Sequence, residues 1–309
     1  MSRTGSVSDS SVSHGVHPLG VGAGLVAVAA WGISGVVAKH IDMGGISISV
    51  YRFLLYGIVV TLYMAARGQP PSWHIMRHSF WGGVALAADV ALFFSAVKAT
   101  AVANATVIGS LQPVLLAVVA RVVFGELIRR RDLLLGGVAL IGAVGVVTGG
   151  PQGGEADITG DLLAVGALGA WSTYFVFSKR ANGIIGSNEF TVGVALWVGL
   201  LNIPVALVFG QSLAWPASAD WVWLVGLAFG SGVAGHAAMN WSIQQIPLWL
   251  SSSLTLFIPV VSTSAAWMFL GEAVTVIQIL SMIVVLVALT GVILGHTLAN
   301  RPESDPATG

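Results

Sequence analysis

The sequence has no cysteine and very little charge. None of its 309 residues is cysteine, which excludes disulfides, thiolate catalysis and cysteine-ligated metal sites. Only 8% of the residues are Asp, Glu, Lys or Arg, whereas soluble domains carry about 25%. The formal net charge is zero, so composition gives no indication of a nucleic-acid partner. With 56% hydrophobic residues, the chain is expected in a lipid bilayer rather than in water.

The short motifs of several enzyme classes are also missing. The sequence contains no phosphate-binding loop, no dinucleotide fingerprint and no His-Glu-x-x-His motif. We therefore expect neither a cofactor nor a bound metal ion.

Apolar runs separated by polar or turn-forming residues predict an all-α integral membrane protein with ten transmembrane helices. The predicted spans are 19–39, 46–66, 79–98, 103–123, 132–150, 160–179, 189–209, 220–242, 249–270 and 274–297. The polar stretch 1–18 lacks the features of a signal peptide and is predicted to be a disordered cytoplasmic tail, with 298–309 as a second cytoplasmic tail.

One stretch of the sequence occurs twice. In both copies a proline precedes a Gly-Glu pair by 12 residues: Pro113 with Gly125-Glu126, and Pro259 with Gly271-Glu272. Upstream, a tryptophan precedes a lysine by 8 residues in both copies: Trp31 with Lys39, and Trp171 with Lys179. These matches predict two related five-helix repeats, residues 19–150 and 160–297.

The positions of Lys and Arg predict how the chain lies in the membrane. If both termini are cytoplasmic, the inner segments hold nine basic residues: Arg3, Arg67, Arg77, Arg129, Arg130, Arg131, Lys179, Arg180 and Arg301. The outer connections then hold two, Lys39 and Lys98. Because each repeat has five spans, an odd number, the second repeat enters the membrane upside down. The sequence predicts an inverted repeat in the cell inner (plasma) membrane, with cytoplasmic N- and C-termini.

Inverted repeats are the recurrent architecture of membrane carriers. Two halves of opposite orientation meet near the midplane, and rocking one against the other exposes a central site alternately to each side. The expected partners are a small-molecule substrate and the lipid bilayer. Self-association into a homodimer stays open, as does the alternative that duplication only built a stable helical bundle.

The sequence resembles the EamA-type branch of the drug/metabolite transporter superfamily over about residues 19–297. The matching residues are Trp31-Gly32 with Lys39, Arg52-Phe53, Gln112-Pro113, Gly125-Glu126, Trp171 with Lys179, Asn240-Trp241, Pro259 and Gly271-Glu272. The resemblance implies ten spans from a duplicated unit and export of amino acids, metabolites or drugs, although some members import. His236 stands where the family often has an aromatic residue, and Val192-Gly193 replaces a second Arg-Phe pair. The resemblance to this family therefore does not predict which substrate the chain prefers.

Two titratable residues are candidates for proton coupling, and one of them, Asp89, is alternatively a site for a substrate amine. Asp89 is the only acidic residue well inside a predicted span, where a charge costs on the order of 3 kcal/mol, so it is expected to face a wet cavity or a base. His236 occupies the neighbouring position of the second repeat, and an imidazole titrates near physiological pH. Either residue alternatively forms a hydrogen bond that only stabilises packing. Proton antiport and facilitated exchange both stay open.

The remaining candidates line a predicted cavity or shape it. Arg52 binds a substrate carboxylate or extends its guanidinium to the interface. Pro113 and Pro259 are predicted helix kinks. The predicted lining residues are Asn104, Ser110, Gln112, Ser252, Asn240, Trp241 and Trp31. Lys39, Lys179, Glu126 and Glu272 are interpreted as residues that cap helix ends.

The rival class is an intramembrane serine protease. Gly32-Ile-Ser-Gly35 matches the short motif of rhomboid-type enzymes, so Ser34 would be the nucleophile and His236 the base. Four residues in a glycine-rich helix arise easily by chance, and we therefore expect no enzyme.

Overall fold

The computed structural model describes residues 17–100, 102–150 and 157–299. Within this part all regular structure is helical, and ten helices are long and apolar enough to cross a membrane. We number them α1 Pro18–Ala38, α2 Gly45–Ala66, α3 Trp73–Ala99, α4 Val102–Gly109 with Gln112–Val123, α5 Arg130–Thr148, α6 Ile158–Ala181, α7 Ser187–Val208, α8 Asp220–Gln245, α9 Leu248–Leu270 and α10 Val276–Ala299. The predicted all-α, ten-helix fold is confirmed. Nearly all of both predicted tails lies outside the described residues.

Helix α3 begins earlier than the apolar run indicates. The sequence places its start at residue 79, whereas the helix begins at Trp73. The hydroxyl of Ser72 accepts a hydrogen bond from the backbone N–H of Ile75, which satisfies an N–H group that has no partner within the first turn. Polar residues of the first two turns therefore continue the helix beyond its apolar part.

The repeated Gly-Glu pair is a helix-ending turn. Gly125 and Gly271 have backbone φ angles of 65° and 66°, a conformation that glycine adopts without a steric penalty. The N–H of the following glutamate bonds back to a helix carbonyl, from Glu126 to Ala120 at 3.0 Å and from Glu272 to Ala266 at 3.3 Å. This bond gives a partner to one of the last helix carbonyls, which have none within the helix. The spacing in the sequence thus corresponds to a fixed way of ending α4 and α9.

The two halves are related by inversion. At one end of the helix bundle, the α1–α2 connection meets the α9–α10 connection, where Lys39 contacts Glu272. At the opposite end, the end of α6 meets the α4–α5 connection, where Lys179 contacts Glu126. We call these the Lys39 end and the Lys179 end. Because the two Gly-Glu turns lie at opposite ends, the predicted inverted repeat is confirmed.

The halves interlock rather than lie side by side. Helix α3 packs along α6 and α7, and α1 packs along α8 and α9, so two helices of the first half each pack against two helices of the second. Helix α2 packs on α7, and α5 packs on α10. The largest buried cluster includes Phe53 from the first half with Tyr174, Phe175 and Phe190 from the second.

Three helices depart from regular α geometry near the interface between the halves. Helix α4 is interrupted between Gly109 and Gln112, next to Pro113, and α9 has a 3₁₀ stretch, Leu254–Phe257, before Pro259. A proline lacks an N–H group, so it leaves a preceding carbonyl without its helical partner. Helix α8 is π-helical over Ala228–Ala237, a rare geometry that often marks functional sites.

Candidate functional site

A cavity of about 330 Å³ lies between the two halves. Side chains of α1, α2, α3, α4, α6, α8 and α9 line it. Six of the predicted site residues are among them: Trp31, Arg52, Asp89, Ser110, His236 and Pro259. The structure therefore brings residues from both repeats to one cavity.

Arg52 and Asp89 bring opposite charges to this cavity. Arg52 comes from α2 and Asp89 from α3, and both line the same space. Among the described residues they form no ion pair with each other, and the Nε–H of Arg52 is buried without a hydrogen-bond partner. A buried, unpaired donor is costly. The Arg52 side chain points into the protein. It does not extend to the membrane interface, which was one of the two alternatives that the sequence left open.

Aromatic rings surround His236 at the cavity wall. The ring centroid of His236 lies 5.2 Å from that of Trp31, 5.4 Å from Phe53 and 5.8 Å from Tyr174. Its Nδ1 atom lies 3.3 Å from the hydroxyl of Tyr174. Asp89 and His236 line the same cavity, but no hydrogen bond of the described residues joins them.

The π-helical segment carries His236 to this position. Gly235, directly before it, faces the indole of Trp31, and a Cβ on this glycine would lie 2.7 Å from the indole Nε1 atom. A glycine here thus allows α1 and α8 to approach closely. Trp31 also contacts Trp171, with ring centroids 6.1 Å apart, so the repeat-related tryptophans meet at the cavity wall.

Asn240 lies behind the cavity wall and does not line it. Its Oδ1 atom accepts hydrogen bonds from the hydroxyls of Tyr174 (2.9 Å) and Ser178 (2.8 Å), and its Nδ2 donates to Thr191 Oγ1 at 2.7 Å. These bonds join α6, α7 and α8. Sequence reasoning missed Tyr174, Ser178 and Thr191, because no repeated spacing in the sequence relates them to Asn240.

The other predicted lining residues also lie outside the cavity. Gln112 is fully buried and accepts a hydrogen bond from Thr255 Oγ1 at 3.2 Å, which bridges α4 and α9. Asn104 Nδ2 lies 3.5 Å from Asp161 Oδ1. Ser252 donates to the carbonyl of Trp249, within α9. Trp241 contacts the His17 ring near the start of α1.

Ser34 lines the cavity, but its hydroxyl serves its own helix. It donates to the carbonyl of Trp31 at 2.6 Å, while His236 faces Tyr174. The described contacts therefore do not join Ser34 to His236 as nucleophile and base. Within residues 17–100, 102–150 and 157–299, no three His, Asp or Glu side chains are grouped to hold a metal ion.

At the Lys179 end, a network around one ion pair joins the ends of helices from both halves. Lys179 Nζ lies 3.7 Å from Glu126 Oε1 and donates to the carbonyls of Ile243 (2.9 Å) and Ile246 (3.0 Å), at the end of α8. Glu126 accepts from the N–H groups of Leu248 (2.9 Å) and Trp249 (3.3 Å), which begin α9. The predicted capping roles therefore need correction in one respect. Glu126 contacts the start of α9 on the opposite half, whereas Lys179 contacts the end of α8, a helix of its own half that is neither its own helix nor the next.

The corresponding pair at the Lys39 end is more open. Lys39 Nζ and Glu272 Oε1 lie 2.6 Å apart, and both side chains are exposed. They border a second cavity of about 230 Å³, which shares Gly35 and Ser262 with the central cavity. The central cavity thus adjoins the cavity that this exposed ion pair borders.

Ten spanning helices in two inverted halves around a partly polar cavity define a membrane carrier architecture. The chain belongs to the EamA-like transporter family, whose model matches residues 18–148 and 158–294. Because the family consists of transporters, the protease alternative is excluded. The ten apolar helices and the exporter relatives described next are those of a multi-pass inner-membrane protein.

Several related proteins carry the names of exporters or efflux pumps. The chain is 29% identical over 174 residues to the threonine/homoserine exporter RhtA of Escherichia coli K12, a match that covers 54% of this chain and 55% of the relative. It thus spans about half the length of that relative. It is 23% identical over 280 residues to a probable amino-acid metabolite efflux pump of Salmonella typhimurium LT2, covering 86% and 91%. It is 28% identical over 176 residues to the aromatic amino acid exporter YddG of Ancylobacter novellus, covering 55% and 60%.

A solved structure shares the fold. The chain superimposes on it with a TM-score of 0.75 and 22% sequence identity, over 91% of this chain and 99% of that one; its title is "Crystal structure of protein". At this identity the likeness concerns the fold alone.

Proposed function

We propose that the chain exports amino acids in their zwitterionic form. The observation that carries this proposal is the presence of Arg52 and Asp89, opposite and unpaired charges, on one cavity between the halves. A charge inside a membrane is costly unless it is paired. A carboxylate bound to Arg52 and an ammonium group bound to Asp89 satisfy both charges at once, and guanidinium–carboxylate pairs are strong and directional.

The size and walls of the cavity suit this substrate class. Small-molecule sites occupy about 300–1,000 Å³, so 330 Å³ is at the small end of the range. Trp31, Trp171 and Phe93 provide apolar surface for a side chain, and Ser110 and Thr255 are hydroxyl-bearing neighbours. The names of the relatives, which cover hydroxylated and aromatic amino acids, agree with this class and indicate export.

Counterflow in proteoliposomes tests the proposal. Vesicles with the purified chain are loaded with unlabelled threonine, homoserine or tryptophan, and uptake of the labelled compound is measured. Tryptamine, which lacks only the carboxylate of tryptophan, is the matched control. We expect uptake of at least one amino acid and little uptake of tryptamine. Equal uptake of tryptophan and tryptamine, or no uptake of any amino acid, would reject the zwitterion as substrate.

The orientation we propose places the Lys179 end in the cytoplasm. Arg67, Arg77, Arg129, Arg130, Arg131 and Arg180 lie at this end, as the positive-inside rule requires of a cytoplasmic face. Because the chain has no cysteine, Asp42→Cys and Asn182→Cys are informative single labels at two exposed positions, one at each end. An impermeant maleimide added to intact cells is expected to label the first variant and not the second.

Transport follows alternating access between two repeat-related arrangements. In the described state the Lys179 end is closed, because Lys179 and Glu126 bind the facing ends of α8 and α9. The repeat places Val97 and Thr100 16 and 13 residues before Pro113, as Ile243 and Ile246 stand before Pro259. In the opposite state, Lys39 is expected to bind the carbonyls of Val97 and Thr100.

Glu272 completes the same arrangement. Val102 and Ala103 precede Pro113 as Leu248 and Trp249 precede Pro259. We therefore expect Glu272 to accept hydrogen bonds from the N–H groups of Val102 and Ala103 when the Lys39 end closes. The exposed ion pair of Lys39 and Glu272 is then ready to close this end, and closure there accompanies release of the network at the Lys179 end.

Energy coupling is proposed to run through Asp89. A carboxylate that binds the substrate ammonium group must lose a proton first, so the proton and the substrate compete for one site. Return of the empty carrier with a protonated Asp89 gives proton antiport, which drives export. His236 faces the same cavity and is the second group on which a proton can reside.

A further inference from the structure

A second large groove lies at the Lys179 end, away from the central cavity. Its volume is about 500 Å³, and it lies between the start of α3, the end of α6 and the middle of α7. None of its lining residues lines the central cavity. The proposed transport cycle therefore gives this groove no role.

Two arginines border the groove without an ion pair. Arg77 and Arg180 are both exposed, and neither belongs to an ion pair among the described residues. Two acidic residues at the same end of the bundle have other partners. Glu126 is bound in the network with Lys179, and Glu189 accepts a hydrogen bond from the N–H of Gly186. The groove thus has a local positive charge in a chain whose net charge is zero.

The rest of the groove is apolar and largely aromatic. Its walls include Trp73, Phe80, Trp81, Phe177, Ile184 and Trp197. Trp197 is held in place by a hydrogen bond from its indole N–H to the carbonyl of Met76 at 2.8 Å and by the Phe80 ring, 5.0 Å away between centroids. Tryptophan rings near the end of a membrane helix lie at the level of lipid headgroups.

An amphipathic anion matches both parts of this groove. A small anion would pair with the two arginines but would leave the aromatic wall without a contact. A neutral hydrocarbon would contact the wall but would leave the two arginines unpaired. A phospholipid with an acidic headgroup carries both features in the right order, with its phosphate at the interface and its acyl chains beside the helices. Basic pockets between membrane helices at the cytoplasmic face bind such lipids.

We propose that this groove is a binding site for an anionic phospholipid. Arg77 and Arg180 bind the phosphate from α3 and α6, and Phe80 with Ile184 contacts the acyl chains. A lipid bound there bridges a helix of the first half and a helix of the second. The site is independent of the proposed amino-acid substrate, since it needs no residue of the central cavity.

Native mass spectrometry of the full chain in detergent tests this site. The protein is titrated with phosphatidylglycerol and, separately, with phosphatidylcholine of the same acyl chains. We expect one tightly retained phosphatidylglycerol per chain and no equivalent phosphatidylcholine. The double variant Arg77→Gln with Arg180→Gln is expected to bind phosphatidylglycerol about 30-fold more weakly, since each arginine near an anionic lipid surface contributes about fivefold.

Arg121→Gln is the matched control. Arg121 lies in the last turn of α4 at the same end of the bundle, but outside the groove, so its variant should bind the lipid like the parent. If the double variant does not fold, the single variants are each expected to lose about fivefold. Equal retention of the two lipids, unchanged binding in the arginine variants or an equal loss in Arg121→Gln would overturn the proposal.

A free anion is distinguished from a lipid by competition. Inorganic phosphate at millimolar concentration is expected to leave the bound phosphatidylglycerol in place; its displacement would reassign the groove to a soluble anion. Binding is measured without an amino acid or a pH gradient. A negative result here thus leaves the proposed export activity untouched, and a failure of export leaves the lipid site untouched.

Discussion

Lys39 and Glu272 form an ion pair with 2.6 Å between Nζ and Oε1, although 233 residues separate them in the chain. The corresponding pair at the other end, Lys179 with Glu126, has a 3.7 Å separation. The side chains of the first pair are 60% and 51% exposed, and those of the second are 19% and 13% exposed. Two equivalent pairs of one repeat are therefore observed in two different environments.

We expect the two lysines to differ in their contribution to stability. Lys179→Gln leaves Glu126 largely buried without its cation and removes the donor to two α8 carbonyls, so it should cost on the order of 3 kcal/mol. Lys39→Gln removes an exposed pair and should cost less than about 1 kcal/mol. Thermal unfolding of both variants in the same detergent measures the difference. Equal shifts in Tm would show that the two environments are equivalent in solution.

Exchanging the charges at the Lys39 end separates stability from transport. The double variant Lys39→Glu with Glu272→Lys keeps an exposed ion pair, so its Tm should stay near that of the parent. Its transport should fall at least tenfold, because the exchanged charges would oppose the carbonyls and N–H groups they must bind when this end closes. Counterflow at matched protein density is the measurement. Full transport by this variant would contradict the proposed closing arrangement.

Asp89→Asn should separate driven export from exchange. The amide keeps the size of the side chain but does not take up a proton, so flux driven by a pH gradient should be lost while amino-acid exchange is retained at a reduced rate. The measurement is flux in proteoliposomes with and without a pH gradient. Ser110→Ala, a change at another lining position, is the control and should keep the response to the gradient. Unchanged driven flux in Asp89→Asn would remove this carboxylate from the coupling mechanism.

Arg52 should determine recognition of the substrate carboxylate. Arg52→Gln is expected to raise the KM for an amino acid by about 10- to 100-fold, the range for loss of a charge-assisted hydrogen bond. Arg52→Lys should recover part of this loss, since it keeps the charge without the paired N–H groups. Transport rates over a range of substrate concentrations give KM. A KM unchanged in both variants would place the carboxylate elsewhere.

The overall fold could be predicted from the sequence because the bilayer imposes simple rules. A spanning helix requires a long apolar run, and ten such runs are visible. The repeat spacing and the odd number of spans per half then determine the inversion. The start of α3 could not be placed in the same way, since the capping contact of Ser72, and not hydropathy, defines it.

The candidate site was only partly predictable. The repeat placed Asp89 and His236 at similar depth, and both line the cavity together with Arg52, whose direction the sequence left open. Depth does not determine which way a polar side chain points, so Asn240 and Gln112, which are at similar depth, instead join helices behind the wall. The π-helical stretch of α8 also has no signal in the apolar pattern.

The partners of the repeated lysines and glutamates were beyond sequence reasoning for another reason. A lysine near the end of a helix is satisfied by its own terminal carbonyls as well as by those of a distant helix, and spacing does not distinguish the two. The partners of these residues become apparent only when the packing of the two halves is known. Lys179 then proves to contact the end of α8, two helices further along its own half, and Glu126 the start of α9 on the opposite half.

Because each ion pair takes its lysine from one half and its glutamate from the other, a single five-helix unit already encodes every partner that both pairs require. Two separate copies of such a unit, inserted in opposite directions, would form both contacts between identical sequences. Covalent fusion therefore adds no new contact to this design. Fusion allows the sequences of the two copies to diverge. The different surroundings of Lys39 and Lys179 are one place where such divergence can occur.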